Sequence, residues 1–277
     1  MTFKDILVPM TDAPEAAARA AVAADLAHRF GGTVSGVFLE ARLFGDPMVA
    51  ESLTYLSPDD IDRLLAEHDQ ALGKAAGKAR AALEAAAAQA GAPCEWQTIN
   101  GDSDMALIAR ARRADLTVLA AITPVCLAIR RIPVQAVGMA CGGPVLLVPE
   151  GGAPNLGRRV MVAWNGSRES ARALRDAWPL IEAADTVHVL QVAGPDAEVD
   201  DEGLGRIFQR HGRKVDLIVD RALSASATEI LTRRIRDFDI DLLVMGLFGH
   251  SRVREVVLGG VSQDIIDAPP VATLLSH

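Results

Sequence analysis

Cysteine is scarce in this chain, and the three present (Cys94, Cys126 and Cys141) show no C-x-x-C spacing. An odd, scattered set excludes a disulfide framework and a zinc site, and it fits a reducing, cytoplasmic compartment. Long hydrophobic runs are missing too. Half of the 277 residues are hydrophobic, yet Arg, Asp or Gly interrupts every apolar stretch well before the ~18 residues that suggest a membrane-spanning helix. No membrane partner is expected. The opening residues, Met1 to Ile6, run straight into a strand pattern with no signal-peptide features. Positive charge is in deficit. A net charge of −8 excludes a general nucleic-acid binder, because phosphate backbones call for clustered Lys and Arg. The one basic run, Arg233-Arg234-Ile235-Arg236, reads as a solvated helix face.

Familiar chemical signatures are absent as well. A P-loop needs Lys followed by Ser or Thr after its second glycine, and the glycine-rich stretch near residue 250 carries His250 and Ser251 there. No G-x-G-x-x-G follows either opening strand, and no Ser-Gly-Gly-x-Asp loop occurs. Six histidines (His28, His68, His188, His211, His250 and His277) form no pair at metal-ligand spacing. Asn165-Gly166-Ser167-Arg168 is not a G-x-S-x-G nucleophile elbow. Asp12 has no aspartate beside it to make a receiver-type pocket. The acidic run Asp200-Asp201-Glu202 falls at an expected helix start, where carboxylates favour the helix dipole. No catalytic residue and no protein metal site is assigned.

What is present is a repeat. Ile6-Leu7-Val8-Pro9-Met10-Thr11 aligns with Val160-Met161-Val162-Ala163-Trp164-Asn165 at a shift of 154, and each is followed by a helical pattern sharing a glutamate, Glu15 and Glu169. Later in each copy the shift is 126. There Asp115-Leu116-Thr117-Val118-Leu119 matches Asp241-Leu242-Leu243-Val244-Met245, and Pro144 to Val148 matches Pro270 to Leu274. Two aligned blocks in one order mean a duplicated domain, with residues 1–150 and 151–277 as the copies and Glu150 to Gly157 as the Gly- and Pro-containing linker.

Each copy alternates strand and helix. Strands are expected near 4–10, 33–39, 94–99, 115–121 and 144–149, then near 159–164, 186–192, 213–219, 240–246 and 270–275. Helices are expected near 13–30, 59–90, 103–113 and 131–141, then near 167–183, 199–211, 226–237 and 252–266. Short apolar runs separated by helical patterns predict an α/β fold with a parallel five-stranded sheet in each copy. Ser226-Ala227-Thr228-Glu229 is a capping box that marks one helix start. The extra length of the first copy is a long Ala-rich helix, from Ile61 through Leu64, Leu65 and Leu72 to Ala90.

In open α/β sheets ligands bind beyond the carboxyl ends of the strands, where the strand order reverses. The second copy offers two segments there. One is Ala163-Trp164-Asn165-Gly166-Ser167, whose Asn165 could edge a base or ribose. The other is Gly246-Leu247-Phe248-Gly249 with the downstream turn Gly259-Gly260-Val261-Ser262. Glycines allow φ > 0 and close approach of the main chain to an anion. Ser262 adds a hydroxyl, and His250 and Arg252 add side chains that could reach phosphates. Val192, at the end of the copy's second strand, completes the candidate site.

On these residues the chain resembles the universal stress protein family in its tandem two-domain form. The family's ATP loop, G-x2-G-x9-G-(S/T), maps onto Gly246, Gly249 and Gly259, with Gly260 where Ser or Thr is expected. The family's V-A-V-D-G-S is similar to Val162-Ala163-Trp164-Asn165-Gly166-Ser167, so Asn165 replaces the aspartate and brings neither charge nor metal affinity. The resemblance implies ATP in the second copy, with Mg accompanying the nucleotide. It also implies a Rossmann-like sheet in each domain, and a pseudo-dimer in which Val145 to Pro149 pairs with Val271 to Ser276. Monomer and homodimer both stay open.

The first copy departs from this pattern. At the shift of 126, Gly246, Gly249, Gly259 and Gly260 become Ala120, Thr123, Pro133 and Val134. Proline offers no N–H, and Ala120 and Thr123 would resist φ > 0. Thr11 stands at the aspartate position. The first copy is therefore read as a degenerate site. Two functional readings follow. One is a nucleotide-binding stress or signalling module, which is no enzyme beyond at most a slow ATPase. The alternative is a protein that binds no nucleotide and whose pseudo-dimer surface recruits partners or another small ligand.

Overall fold

The computed structural model describes residues 2–40, 56–100, 104–121, 134–194, 199, 201–222, 225–248 and 260–277. They form an α/β fold in two compact units, a mostly parallel sheet flanked by helices.

One unit comprises Phe3–Val118. Its strands are β1 (Asp5–Met10), β2 (Thr33–Glu40), β3 (Cys94–Asn100) and the start of β4 (Leu116–Ala120), in the order β3-β2-β1-β4. β1 pairs with β2 and β4, and β2 with β3, all in parallel. Every residue of β1 after Asp5 is buried, which explains why an unbroken apolar run rather than an alternating one announces it. Helix α1 (Glu15–Phe30) packs on β1 and β2. The long helix α2 (Pro58–Ala90) begins at Ser57, whose hydroxyl accepts the Asp60 N–H at 3.2 Å. It buries Leu72, Ala75, Ala79, Leu83 and Ala87, one helical stripe against the sheet. Helix α3 (Asp104–Ala111) completes the unit.

The other unit holds Val134–His277 and the end of β4. Its strands are β5 (Val145–Val148), β6 (Arg159–Ala163), β7 (Thr186–Ala193), β8 (Asp216–Arg221), β9 (Leu242–Gly246) and β10 (Ala272–Ser276). Their order is β5-β10-β9-β6-β7-β8. All pairs are parallel except β10 with β5, where Thr273, Leu274 and Leu275 face Leu147, Leu146 and Val145 in antiparallel register. The helices are α4 (Val134–Ala140), α5 (Arg168–Asp176), α6 (Trp178–Ala183), α7 (Asp201–Arg210), α8 (Ala227–Asp237) and α9 (Val261–Asp267).

The helix expected over 167–183 is two helices. Pro179, in the first turn of α6, has no N–H to continue the ladder, and the chain breaks at Ala177. The capping box expected at Ser226 is present in full. The basic run lies on α8 as a structural device rather than a purely solvated face. Ile235 is buried, and the Arg234 guanidinium grips both oxygens of Asp220 at 2.7 Å.

The repeat also shows in a matched pair of carboxylates. Asp115 accepts the N–H groups of Lys4 and Asp5 at 2.7 and 3.0 Å, and Asp241 accepts those of Gly157 and Arg159 at 2.7 and 2.9 Å. Each ties the start of its copy's first strand. Burial pushes the Asp241 carboxyl up, against the pull of the Arg159 and Gly157 N–H groups. Among the described residues no helix is long and apolar enough to cross a membrane.

Candidate functional site

The strand order of the second copy reverses at β6, which has β7 on one side and β9 on the other. Ala163, half-buried at the end of β6, is level with Leu190 and Met245. The N–H of Trp164 donates to the Leu190 carbonyl at 2.9 Å, which carries the ladder one residue further. The chain then turns. Asn165 is exposed, and its side-chain oxygen accepts the Ser167 N–H at 3.1 Å. Gly166 takes a left-handed φ of 74°. Ser167 caps α5, its hydroxyl accepting the Ser170 N–H at 3.1 Å. A side-chain oxygen bonded two residues on is the usual Asx turn.

The first copy makes the same turn with a different side chain. The Thr11 hydroxyl oxygen accepts the Ala13 N–H at 3.3 Å, and Thr11 is buried. The position that the family gives to an aspartate thus builds the turn into the following helix in both copies.

Gly246 closes β9, and its glycine has a reason the sequence does not reveal. A Cβ placed there would lie 2.6 Å from the Ser170 nitrogen, 2.7 Å from the Glu169 carbonyl carbon and 2.8 Å from Glu169 Cβ. The first turn of α5 presses directly on the strand end, so the residue must lack a side chain. Left-handed geometry is not the cause. Gly246 has no left-handed φ and Gly260 sits at −80°, whereas Phe248 takes a left-handed φ of 53°. The expectation that Ala120 fails its position through φ is corrected by the same finding, since Ala120 ends β4 as a regular strand residue.

After Gly246 the chain is held closely. The Leu247 N–H donates to the Ser276 carbonyl at 2.8 Å, and the Leu247 carbonyl accepts from Nδ1 of His277 at 3.0 Å. The Phe248 N–H donates to the Ser262 hydroxyl at 3.3 Å. The structure therefore brings Ser262 to the glycine stretch. Gly260 precedes α9, and Val261 opens it. Val192 lies on β7 opposite Asp220 of β8, two residues past the level of Ala163. Gly249, His250, Arg252 and Gly259 lie outside the described residues, as do Thr123 and Pro133 of the first copy.

Two carboxylates border these segments. Glu169 is buried at the head of α5. Burial pushes its carboxyl up, but its own main-chain N–H, the Arg168 guanidinium at 2.9 Å and the Ser167 hydroxyl outweigh that and hold it below the ordinary range. Asp264, in α9, accepts the Thr228 hydroxyl at 2.7 Å. Among the described residues no group of three His, Cys, Asp or Glu could hold a metal ion. These segments offer, among the described residues, main-chain donors, hydroxyls and an amide beside the two carboxylates. Sequence reasoning missed Ser170, Ser276 and His277. Only the glutamate shared by the copies, next to Ser170, gave a signal.

No protein-family model matches the chain, and no curated protein is significantly similar to it in sequence. Solved structures do match over the full length. A universal stress protein from Archaeoglobus fulgidus superposes with a TM-score of 0.69 at 20% identity, covering 98% of this chain and 97% of that one. A functionally unknown protein from Pseudomonas aeruginosa gives 0.56 at 15% identity, covering 99% and 92%. The chain has the fold of the tandem universal stress proteins, as its motifs imply.

Proposed function

We propose that the second copy binds a nucleotide, ATP, at the carboxyl ends of β6 and β9, and that the protein works as a nucleotide-dependent stress or signalling module. One observation carries the reading. The contact of Gly246 with Ser170 sets the glycine stretch beside the capped start of α5, at the point where the strand order reverses. That is the place where α/β sheets of this type take their ligands. Asn165 and the half-buried Trp164 stand on the base or ribose side, and Gly260, Val261 and Ser262 on the phosphate side. Asn165 is neutral and Glu169 is engaged by Arg168. Mg would therefore be held through the phosphate oxygens rather than by a protein carboxylate.

The test begins with mass spectrometry of the denatured, purified protein for carried-over nucleotide. Calorimetric titration with ATP follows, on the wild type and on Gly249→Val. Binding by the wild type and its loss in the variant are expected. A wild type that carries no nucleotide and gives no heat with ATP sinks the reading, and an unchanged affinity in the variant removes the glycine stretch from the site.

A further inference from the structure

We propose that His277 is a positioning residue for the nucleotide site, acting through the peptide that joins Leu247 to Phe248. This rests on the nucleotide reading above and assigns a role to a residue that neither the motif nor the fold singles out.

The Leu247 carbonyl and the Phe248 N–H belong to one peptide unit, and a peptide unit is a rigid plane. His277 donates from Nδ1 to the carbonyl end at 3.0 Å, and the Ser262 hydroxyl accepts from the N–H end at 3.3 Å. The plane is pinned at both ends by residues remote from it in sequence. The preceding peptide is pinned as well, since the Leu247 N–H donates to the Ser276 carbonyl at 2.8 Å. Leu247 itself is fully buried, so it cannot swing to compensate.

That orientation matters because of Phe248. Its φ of 53° is one that a residue with a Cβ keeps only where the surroundings impose it. A free Leu247 carbonyl would let the plane rotate and Phe248 return to ordinary geometry, and the chain would then leave β9 in another direction. The orientation of the chain at Leu247 and Phe248, where it leaves β9, is thus set by His277 and Ser262 together. Asn can stand in for histidine here, because its side-chain N–H group lies close to the place of Nδ1–H.

The experiment compares wild type, His277→Ala and His277→Asn by amide hydrogen exchange without ligand and by calorimetric titration with ATP. In His277→Ala the Phe248 amide is expected to exchange about tenfold faster and ATP affinity to fall about tenfold, the scale of one net hydrogen bond. Amides of β1 should be unchanged, which separates local release from global unfolding. His277→Asn should restore both values. Unchanged exchange at Phe248 in His277→Ala overturns the pinning, whatever ATP does. Faster exchange with unchanged ATP affinity overturns the positioning role. A wild type that binds no ATP removes the nucleotide reading and the positioning role with it, while the exchange data still decide whether His277 holds the peptide.

Discussion

The main-chain nitrogen of Ser170 lies 2.6 Å from the point where a side chain on Gly246 would begin. A helix start and a strand end are packed backbone to backbone, and the fit is already tighter than any Cβ tolerates. Gly246→Ala should therefore destabilise the protein by about 1–3 kcal/mol, the ordinary cost of overpacking. Gly260→Ala is the control. Among the described residues its Cβ would meet the Asp264 carboxylate, at an ordinary 3.5 Å, and stability should move by less than about 0.5 kcal/mol. Denaturant midpoints of the two variants check this; equal shifts would refute it.

Asp220 and Asp241 should give opposite pH slopes within one unit. The Arg234 hydrogen bonds hold the Asp220 carboxyl below its ordinary value, against burial. Its stabilising contribution is complete above the ordinary aspartate range and is lost as pH falls through the lowered value. Asp220→Asn should cost about 1.5–3 kcal/mol at neutral pH, as for a hydrogen bond between charged groups. It should also flatten the acid limb of the stability curve. Melts from acid to neutral pH test both statements.

For Asp241 the sign reverses. Burial raises its folded-state value, so the unfolded chain releases its proton first, and stability declines as pH rises from the ordinary aspartate value through the raised one. Asp241→Asn should remove that decline and keep one oxygen to accept from Gly157 or Arg159. A variant whose stability still falls over that interval would show that another group is responsible.

Asn165→Asp tests how Mg travels. Either side chain can accept the Ser167 N–H that Asn165 now binds at 3.1 Å, so the turn should survive. Because Asn165 stands on the ribose side and Mg travels on the phosphates, the new charge should weaken ATP binding by about threefold, and by the same factor in EDTA and with Mg, the scale of a charge contact at an exposed site. Calorimetry with and without Mg reads the difference. A variant whose affinity Mg restores would place residue 165 at the phosphates and overturn the ribose-side reading.

The alternation of strands and helices was legible because buried parallel strands are unbroken apolar runs. Leu242 to Met245 needs no partner to be recognised, and the internal repeat supplied the register between copies. The single helix expected over 167–183 overlooks the break that Pro179 imposes, because the alanines on either side of it favour helix. The site was legible as a place, at the ends of β6 and β9, but not in its mechanics. The need for glycine at 246 resides in the backbone of Ser170. Phe248 carries no glycine to betray its left-handed turn, and nothing around His277 in the sequence points to Leu247. Each of these depends on an approach between distant segments, and periodicity carries no information about that.

The antiparallel seam between Val145–Val148 and Ala272–Ser276 has a consequence in time. During synthesis β5 leaves the ribosome more than a hundred residues ahead of the strand that completes it. Through that interval its outer main-chain groups have no partner within the finished part of the chain, and an apolar edge of this kind readily recruits other strands. The seam is a long-range closure, which slows folding, and it makes β10 the segment whose arrival decides whether a nascent molecule closes on itself or on a neighbour.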